Sequence, residues 1–198
     1  MHGDIMKDFD YYIELIKSRM SEHRFIHSVN VAKKARELAE FYCGDADKAE
    51  IAGILHDVTK ETPFEEQLKI MSEGGIILDN VEKSSKKLWH PISGSVFVRD
   101  NLKIYDNDII NAVRFHTTGR AGMSLLEKII FVADFTGDER NYNGVEIMRE
   151  KSYRSLEEAM IYGLQFTIKD LSSRKMSIHP NALACYNDLI LKDEENEH

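Results

Sequence analysis

Proline and glycine are scarce in this sequence, with three prolines and eleven glycines among 198 residues. Because these two residue types interrupt regular structure most often, their scarcity favours long regular elements. Long hydrophobic runs are also missing, since the longest apolar stretches, such as residues 129–133, are far too short to span a bilayer. The first residues are polar and acidic and contain no readable signal peptide, so we expect a cytoplasmic protein.

Cysteine and excess positive charge are lacking as well. The two cysteines, Cys43 and Cys185, lie far apart in the sequence, and we expect buried thiols rather than a disulfide. Lysine and arginine number 26 against 34 aspartates and glutamates, which gives a formal net charge of −8. A protein that wraps duplex DNA needs a basic surface, so this charge disfavours an extended nucleic acid as a partner. It does not exclude a small phosphate ligand in a local pocket.

Helical periodicity, in contrast, is present along most of the chain. Apolar residues recur at helical spacing over about 8–20, 24–42, 107–115, 125–135 and 156–172. The best strand candidate, residues 76–78, is too short to build a sheet. We therefore predict an all-α protein, a single-domain helical bundle over 1–198 with its core at about 10–190 and an acidic C-terminal tail.

Helix-start and helix-stop signals refine these boundaries. A Ser or Asp followed three residues later by Glu is typical of a capping box, and Thr-Pro is typical of a helix start. Gly44 is expected to cap the second helix, and Gly74–Gly75 to end the helix that begins near Pro63. The last helix should follow Pro180. The predicted N-capping residues are Asp47, Thr62, Asp106, Ser124 and Ser155.

The eight histidines are the feature that composition alone does not explain. His56 and Asp57 directly follow an apolar helical segment, where an ionised carboxylate is costly unless a cation or hydrogen bonds compensate it. Such a pair alone equally fits a half-buried helix end. However, His27 lies on an apolar helical face, and Asp134 closes another apolar helix. Together these four side chains form a plausible ligand set for a divalent metal with positions open to water and substrate.

A second set of polar residues could contact phosphate. His90 lies at a helix start and His116 at the end of an apolar segment; together they could hold a second metal or bind phosphate. The loop at 117–120 offers two hydroxyls and a guanidinium, and Lys60 could stabilise charge on a phosphoryl group, although a surface lysine is the alternative. The other four histidines have weaker claims, with both terminal ones expected to be exposed: His2, His23, His179 and His198.

Three stretches resemble the HD-domain metal-dependent phosphohydrolase superfamily, and more narrowly its YqeK-type symmetrical bis(5′-nucleosyl)-tetraphosphatases. They are HSVNVA at 27–32, AGILHDVTK at 52–60 and FHTTGRAGMSLLEKII at 115–130, of which the last is the most specific. Residues 178–180 also fit, and the similarity covers about 10–190. One departure follows Asp134, where the family has an Ile-Glu-Pro-like segment before an arginine and this sequence has Phe-Thr-Gly-Asp-Glu before Arg140.

The resemblance implies an all-α HD fold, a homodimer and an enzyme that splits diadenosine tetraphosphate symmetrically into two ADP. It also implies an iron-type divalent metal held by His27, His56, Asp57 and Asp134, although Mn, Co or Zn would suit these ligands too. A second metal near His90 and His116 is an open alternative.

The expected mechanism is attack of a metal-activated water on an inner phosphorus, with Asp57 and Lys60 as catalytic groups. Two alternatives stay open, namely an HD phosphohydrolase acting on a nucleoside mono- or triphosphate and a non-catalytic nucleotide or metal sensor. The expected substrate-binding residues are Arg24, His27, Lys60, His90, His116, Thr117, Thr118 and Arg120.

Overall fold

Helices make up the regular structure of residues 8–196, the range that the computed structural model describes, with side chains described as far as residue 192. The helices are α1 (Phe9–Arg19), α2 (Glu22–Phe41), α3 (Ala46–Leu55), α4 (Phe64–Glu73), α5 (Asn80–Ser84), α6 (Trp89–Asp100), α7 (Asn107–Phe115), α8 (Leu125–Thr136), α9 (Val145–Ser152), α10 (Leu156–Ser173) and α11 (Pro180–Asn196), with a 3₁₀ turn at Lys86–Leu88. The all-α prediction is confirmed. Residues 76–78 link α4 to α5 without forming a strand, and none of the described helices is long and apolar enough to cross a membrane.

Side-chain caps determine where several helices begin. The Ser124 hydroxyl accepts a hydrogen bond from the Glu127 backbone N–H, and the Glu127 carboxylate accepts one from the Ser124 backbone N–H, so the predicted capping box is confirmed. Asp106 caps α7 as predicted, and Ser155 caps α10. Each such cap satisfies backbone donors that the first turn of a helix leaves without a partner.

Two predicted starts are wrong by one or two residues. Asp45, rather than Asp47, caps α3, because the Asp47 carboxylate instead lies 2.9 Å from a guanidinium nitrogen of Arg36. At α4 the N-cap is Pro63 and makes no side-chain cap bond, while the carbonyl of Thr62 accepts a hydrogen bond from a side chain within the helix. The predicted stop at Gly74–Gly75 is confirmed, with Gly75 at φ +75°.

The end of α2 also differs from the expectation. Cys43, not Gly44, takes the left-handed conformation, with φ +55°, while the Gly44 N–H donates to the carbonyl of Ala39 at 2.8 Å. Both cysteines are free, and Cys185 is buried, but Cys43 is exposed. The expectation of a buried thiol is therefore wrong for Cys43, because its place in the turn after α2 directs it to solvent.

A close contact between α2 and α3 organises the core. A Cβ atom at Gly53 on α3 would lie only 2.7 Å from the Cα of Ala32 on α2, so the two backbones approach as only glycine permits. The apolar faces of α2, α3, α7 and α8 are buried together around this contact. As a result of this contact, His27 on α2 lies beside His56, which immediately follows α3.

Helix ends converge on the same side of this core. His56 and His116 are the C-terminal caps of α3 and α7, and Asp134 lies in the last turn of α8. The carbonyl ends of helices carry partial negative charge, which favours a cation where several of them meet. The convergence of these helix ends therefore favours binding of a cation where their polar side chains cluster.

Candidate metal and phosphate site

Four buried imidazoles face one another in the interior of the protein. His27, His56, His90 and His116 are each at most 4% exposed, which is unusual for so many titratable groups in contact. They come from α2, from the residue after α3, from α6 and from the residue after α7.

Hydrogen bonds determine which ring nitrogen points into the cluster. Nδ1 of His56, of His90 and of His116 lies 2.6, 2.9 and 2.8 Å respectively from the carbonyl oxygen three residues earlier. A carbonyl can only accept, so each Nδ1 carries the proton and each Nε2 presents a lone pair. Burial also lowers the pKa of His56 to about 3 and that of His90 to about 4. The rings of His56 and His90 are therefore neutral and available as ligands.

The fourth imidazole, His27, lies between two carboxylates. Its Nδ1 is 2.5 Å from Glu139 Oε1, and its Nε2 is 3.1 Å from Asp134 Oδ1. Burial opposes protonation, but the hydrogen bonds to Asp134 and Glu139 raise the pKa of His27 above 6.5. A metal at Nε2 would replace a proton there, as metal binding to histidine generally requires.

The Nε2 atoms form two close pairs, with 3.2 Å between those of His27 and His56 and 3.2 Å between those of His90 and His116. Asp57 lies between the pairs. Its Oδ2 is 3.6 Å from His56 Nε2, and its Oδ1 is 3.1 Å from His90 Nε2 and 3.6 Å from His116 Nε2. One carboxylate thus presents one oxygen to each pair of imidazoles.

A divalent cation fits this donor set. Ligand atoms of His27, His56 and Asp134 lie within 4.8 Å of one another, and so do those of His56, Asp57 and His116. Asp57 Oδ1 is buried and has no hydrogen-bond partner among the described residues, which is costly unless a cation compensates it. Lone pairs of buried imidazoles together with carboxylate oxygens are the ligands that Fe, Mn, Co and Zn share.

Three basic side chains surround the cluster. Arg24 lies 2.9 Å from Asp57 Oδ2, and Lys60 donates to His90 Nε2 at 3.0 Å. Arg140 pairs with the Asp134 carboxylate and also donates to the Asp134 carbonyl at 2.7 Å. Burial would raise the pKa of Asp134, but the hydrogen bond from His27 and the charge of Arg140 help hold it well below its usual range. The site therefore has enough positive charge at its rim to admit phosphate groups.

In the loop after His116, only some of the expected phosphate-binding side chains border a cavity beside the cluster. Thr117 lines a cavity with Lys60 and His90, whereas the Thr118 hydroxyl donates to the neighbouring Gly119 carbonyl. The Arg120 guanidinium donates two hydrogen bonds of 2.7 Å to the carboxylate of Glu127, which is 1% exposed. The structure thus gives Arg120 a structural partner that the sequence pattern did not indicate.

The histidines with weaker claims fall into three groups. His23 lines a shallow cavity beside Arg24 and His27. His179 takes part in the start of α11, because its Nδ1 accepts a hydrogen bond from the Asn181 N–H at 3.1 Å. His2 and His198 lie outside the described residues.

Sequence reasoning missed Glu139. Besides contacting His27, its carboxylate accepts a hydrogen bond from Asn30 Nδ2 at 2.8 Å. Burial alone would raise the pKa of Glu139, but the hydrogen bonds with His27 and Asn30 help lower it to about 2. The signal was present in the departure from the family pattern after Asp134, where Glu139 follows Gly137 by two residues.

Known proteins resemble this chain in sequence and in fold. The sequence model of the HD domain matches residues 24–136. A Halalkalibacterium halodurans protein described as "Bis(5′-nucleosyl)-tetraphosphatase, symmetrical" is 38% identical over 92% of this chain and 97% of its own length. A Bacillus subtilis protein of the same description is 37% identical over 88% of this chain and 94% of its own length.

The fold is also similar to that of a solved structure. A crystal structure of a predicted HD superfamily hydrolase involved in NAD metabolism, from Clostridium acetobutylicum, superposes with a TM-score of 0.91 at 34% identity. The similarity covers 94% of this chain and 99% of that one.

Proposed function

Since the chain belongs to the HD-domain family and, within it, to the symmetrical bis(5′-nucleosyl)-tetraphosphatases, we propose that it hydrolyses diadenosine tetraphosphate into two ADP. The observation that carries this proposal is the cluster of four imidazoles and two carboxylates with Arg24, Lys60 and Arg140 at its rim. Such a site combines the ligands of a hydrolytic metal with the cations that a polyphosphate requires.

His27, His56, Asp57 and Asp134 are the proposed metal ligands, and iron is the proposed metal. When bound, a divalent metal supplies Lewis acidity to a phosphoryl oxygen and lowers the pKa of a water. The Nδ1 hydrogen bond of His56 to a backbone carbonyl and that of His27 to Glu139 keep Nε2 of both rings directed at the site. His56, Asp57 and His116 form a second group of potential ligands, with His90 beside them, which supports a second cation there.

In the proposed reaction a water oxygen bonds to one of the two central phosphorus atoms. The bond from that phosphorus to the central bridging oxygen breaks, so that both products are ADP. We assign the orientation of the water to Asp57, and the approach of one of its oxygens to each pair of imidazoles supports this role. Lys60 neutralises charge that develops on the phosphoryl oxygens, since its ammonium lies 3.6 Å from Asp57 Oδ1.

The remaining proposed substrate contacts surround this centre. Arg24 and the imidazoles of His90 and His116 face the polyphosphate, and Thr117 lies in the cavity beside Lys60. Thr118 and Arg120 belong to the same loop as Thr117 and are also proposed to contact the phosphates. Each contact would neutralise or hydrogen bond the polyanion rather than take part in bond cleavage.

Two properties of the whole protein complete the proposal. A homodimer is proposed because it is implied by the resemblance to this family, and sedimentation equilibrium would measure it. A cytoplasmic location is proposed from the free cysteines, which are usual in reducing compartments. Elemental analysis of protein purified without oxygen would identify the metal and count it per chain.

The test of the activity compares Asp57→Ala with Asp138→Ala, which removes an acidic group that is 60% exposed. We expect the wild type and Asp138→Ala to convert diadenosine tetraphosphate into ADP alone, and Asp57→Ala to lose turnover by at least a hundredfold. Chromatography of the products distinguishes ADP from ATP plus AMP. Full turnover by metal-loaded Asp57→Ala would overturn the assignment, and preference for a mono- or triphosphate would favour another HD phosphohydrolase activity.

A further inference from the structure

An aromatic cavity of about 250 Å³ opens beside Asp134. Its walls are the rings of Phe135, Tyr142 and Phe166, with Arg140 at the side nearest the cluster. The Tyr142 hydroxyl donates to the Phe135 carbonyl at 3.1 Å, which holds the phenol ring in place. Phe166 is 50% exposed although it is a large apolar side chain, and its ring centre lies 5.9 Å from that of Tyr142. Flat, partly exposed rings of this kind are suited to stack on a planar ligand.

A second cavity, of about 370 Å³, opens beside His90. We call it the lysine cavity, because Lys60, Lys86 and Lys87 line it together with Phe64. The Lys86 ammonium lies 4.7 Å from the centre of the Phe64 ring, which is itself 43% exposed. This cavity thus offers one aromatic face and three positive charges, a combination suited to a nucleotide.

The two cavities border different members of the cluster. Asp134 borders the aromatic cavity and lies 3.1 Å from Nε2 of His27, which is followed by His56, Asp57 and His116 in steps of at most 3.6 Å. His90 lies 3.2 Å from His116 and 3.1 Å from Asp57 Oδ1, and it borders the lysine cavity. A ligand with one end in each cavity therefore brings its middle part close to the imidazoles and carboxylates.

We infer that the two cavities are the two nucleoside sites of a dinucleoside polyphosphate, with one base stacked among Phe135, Tyr142 and Phe166 and the other against Phe64. This inference rests on the proposed function and adds to it the recognition of both ends of the substrate. Because both ends are anchored, the middle of the tetraphosphate lies over the cluster of imidazoles and carboxylates, and cleavage there yields equal halves. Each molecule of a nucleotide with a single nucleoside fills only one of the two cavities.

The stoichiometry of product binding tests this inference without measuring turnover. Calorimetric titration of the Mn²⁺-loaded protein with ADP should give two sites per chain in the wild type, and in Phe166→Ala one of the two should bind about tenfold more weakly. Phe166→Tyr keeps a ring and should restore the affinity of that site. Phe41→Ala is the matched control, because Phe41 is 53% exposed and lies on α2, outside the lining of both cavities. One ADP site in the wild type, or two sites of unchanged affinity in Phe166→Ala, would overturn the inference.

Kinetics give an independent reading of the same variants. Loss of one stacking contact should raise KM for diadenosine tetraphosphate about tenfold in Phe166→Ala, whereas KM for adenosine 5′-tetraphosphate, which can use the lysine cavity, should change less than twofold. An equal rise for both substrates, or no rise, would contradict a dedicated second nucleoside site. If instead the wild type produced no ADP from diadenosine tetraphosphate, the proposed function itself would fail. The ADP titration does not depend on turnover, so it would still test the two nucleoside sites separately.

Discussion

The carboxylate of Glu139 lies 2.5 Å from Nδ1 of His27 and thereby determines which nitrogen of that ring faces the cluster. Its other oxygen accepts a hydrogen bond from Asn30 at 2.8 Å. Gly137 makes room for this arrangement, since a Cβ atom there would lie 2.8 Å from Glu139 Oε2. In the segment that departs from the family pattern after Asp134, the lack of a side chain at Gly137 thus allows the Glu139 carboxylate to reach His27.

Glu139→Gln should weaken metal binding. The amide lacks the negative charge that strengthens His27 as a ligand, and removal of such a supporting carboxylate typically costs about 10- to 100-fold in metal affinity. Titration of the metal-free protein with Mn²⁺ would measure this, with Glu146→Gln as the control at a position that is 79% exposed. Equal affinities in the two variants would show that Glu139 does not position His27.

Gly137→Ala should weaken metal binding through its effect on Glu139. The added methyl group would push the Glu139 carboxylate from its place, so metal affinity should fall as in Glu139→Gln, although by less. The double variant should bind metal no more weakly than Glu139→Gln alone, because the carboxylate charge has already been removed. Additive losses in the double-mutant cycle would mean that Gly137 matters for another reason.

Gly53→Ala should destabilise the protein by about 1–3 kcal/mol. The added Cβ would lie 2.7 Å from the Ala32 Cα, and backbone cannot move aside as a flexible side chain can. Gly163→Ala is the matched control, because the nearest atom there is the end of the Met148 side chain at 3.2 Å. Urea unfolding followed by circular dichroism compares the two; a similar stability in both would contradict the tight α2–α3 contact.

Arg120→Ala should lower stability by roughly 2–3 kcal/mol, because it removes two charged hydrogen bonds and leaves the buried Glu127 carboxylate without its cationic partner. Thermal unfolding measures this, and Arg154→Ala, at an arginine that is 64% exposed, is the control. KM for diadenosine tetraphosphate, measured on the folded fraction, tests separately whether Arg120 contacts phosphate. A raised KM with unchanged stability would favour the phosphate contact over the structural role.

Removal of the metal should lower the melting temperature. A ligand present at a hundred times its Kd contributes about 2.7 kcal/mol, which corresponds to roughly 5–10 °C for a protein of this size. Scanning calorimetry with and without a chelator would measure the shift. His56→Ala should show little response to the chelator, since it lacks a proposed ligand that lies 3.2 Å from His27 Nε2. A chelator effect of equal size in that variant would locate the stabilising metal elsewhere.

Local interactions account for what was predictable in the fold. Ser124 and Asp106 cap helices through backbone groups within three residues, so their roles can be read from short segments. Asp47 shows the limit of such reasoning, because a tertiary ion pair with Arg36 removes it from the cap. The burial of His27 was predictable for the same local reason, since periodicity places it on the apolar face of α2.

The sequence by itself determined the helices, their apolar faces and which histidines and aspartates lie on those faces, since these depend on neighbours three or four residues away. Only the tertiary structure decided how those side chains are arranged. The contact of Glu139 with His27 joins residues 112 positions apart, and the position of Asp57 between two pairs of imidazoles depends on several helices packing at once. Distances of this kind follow from the packing of buried surfaces, which no local pattern specifies.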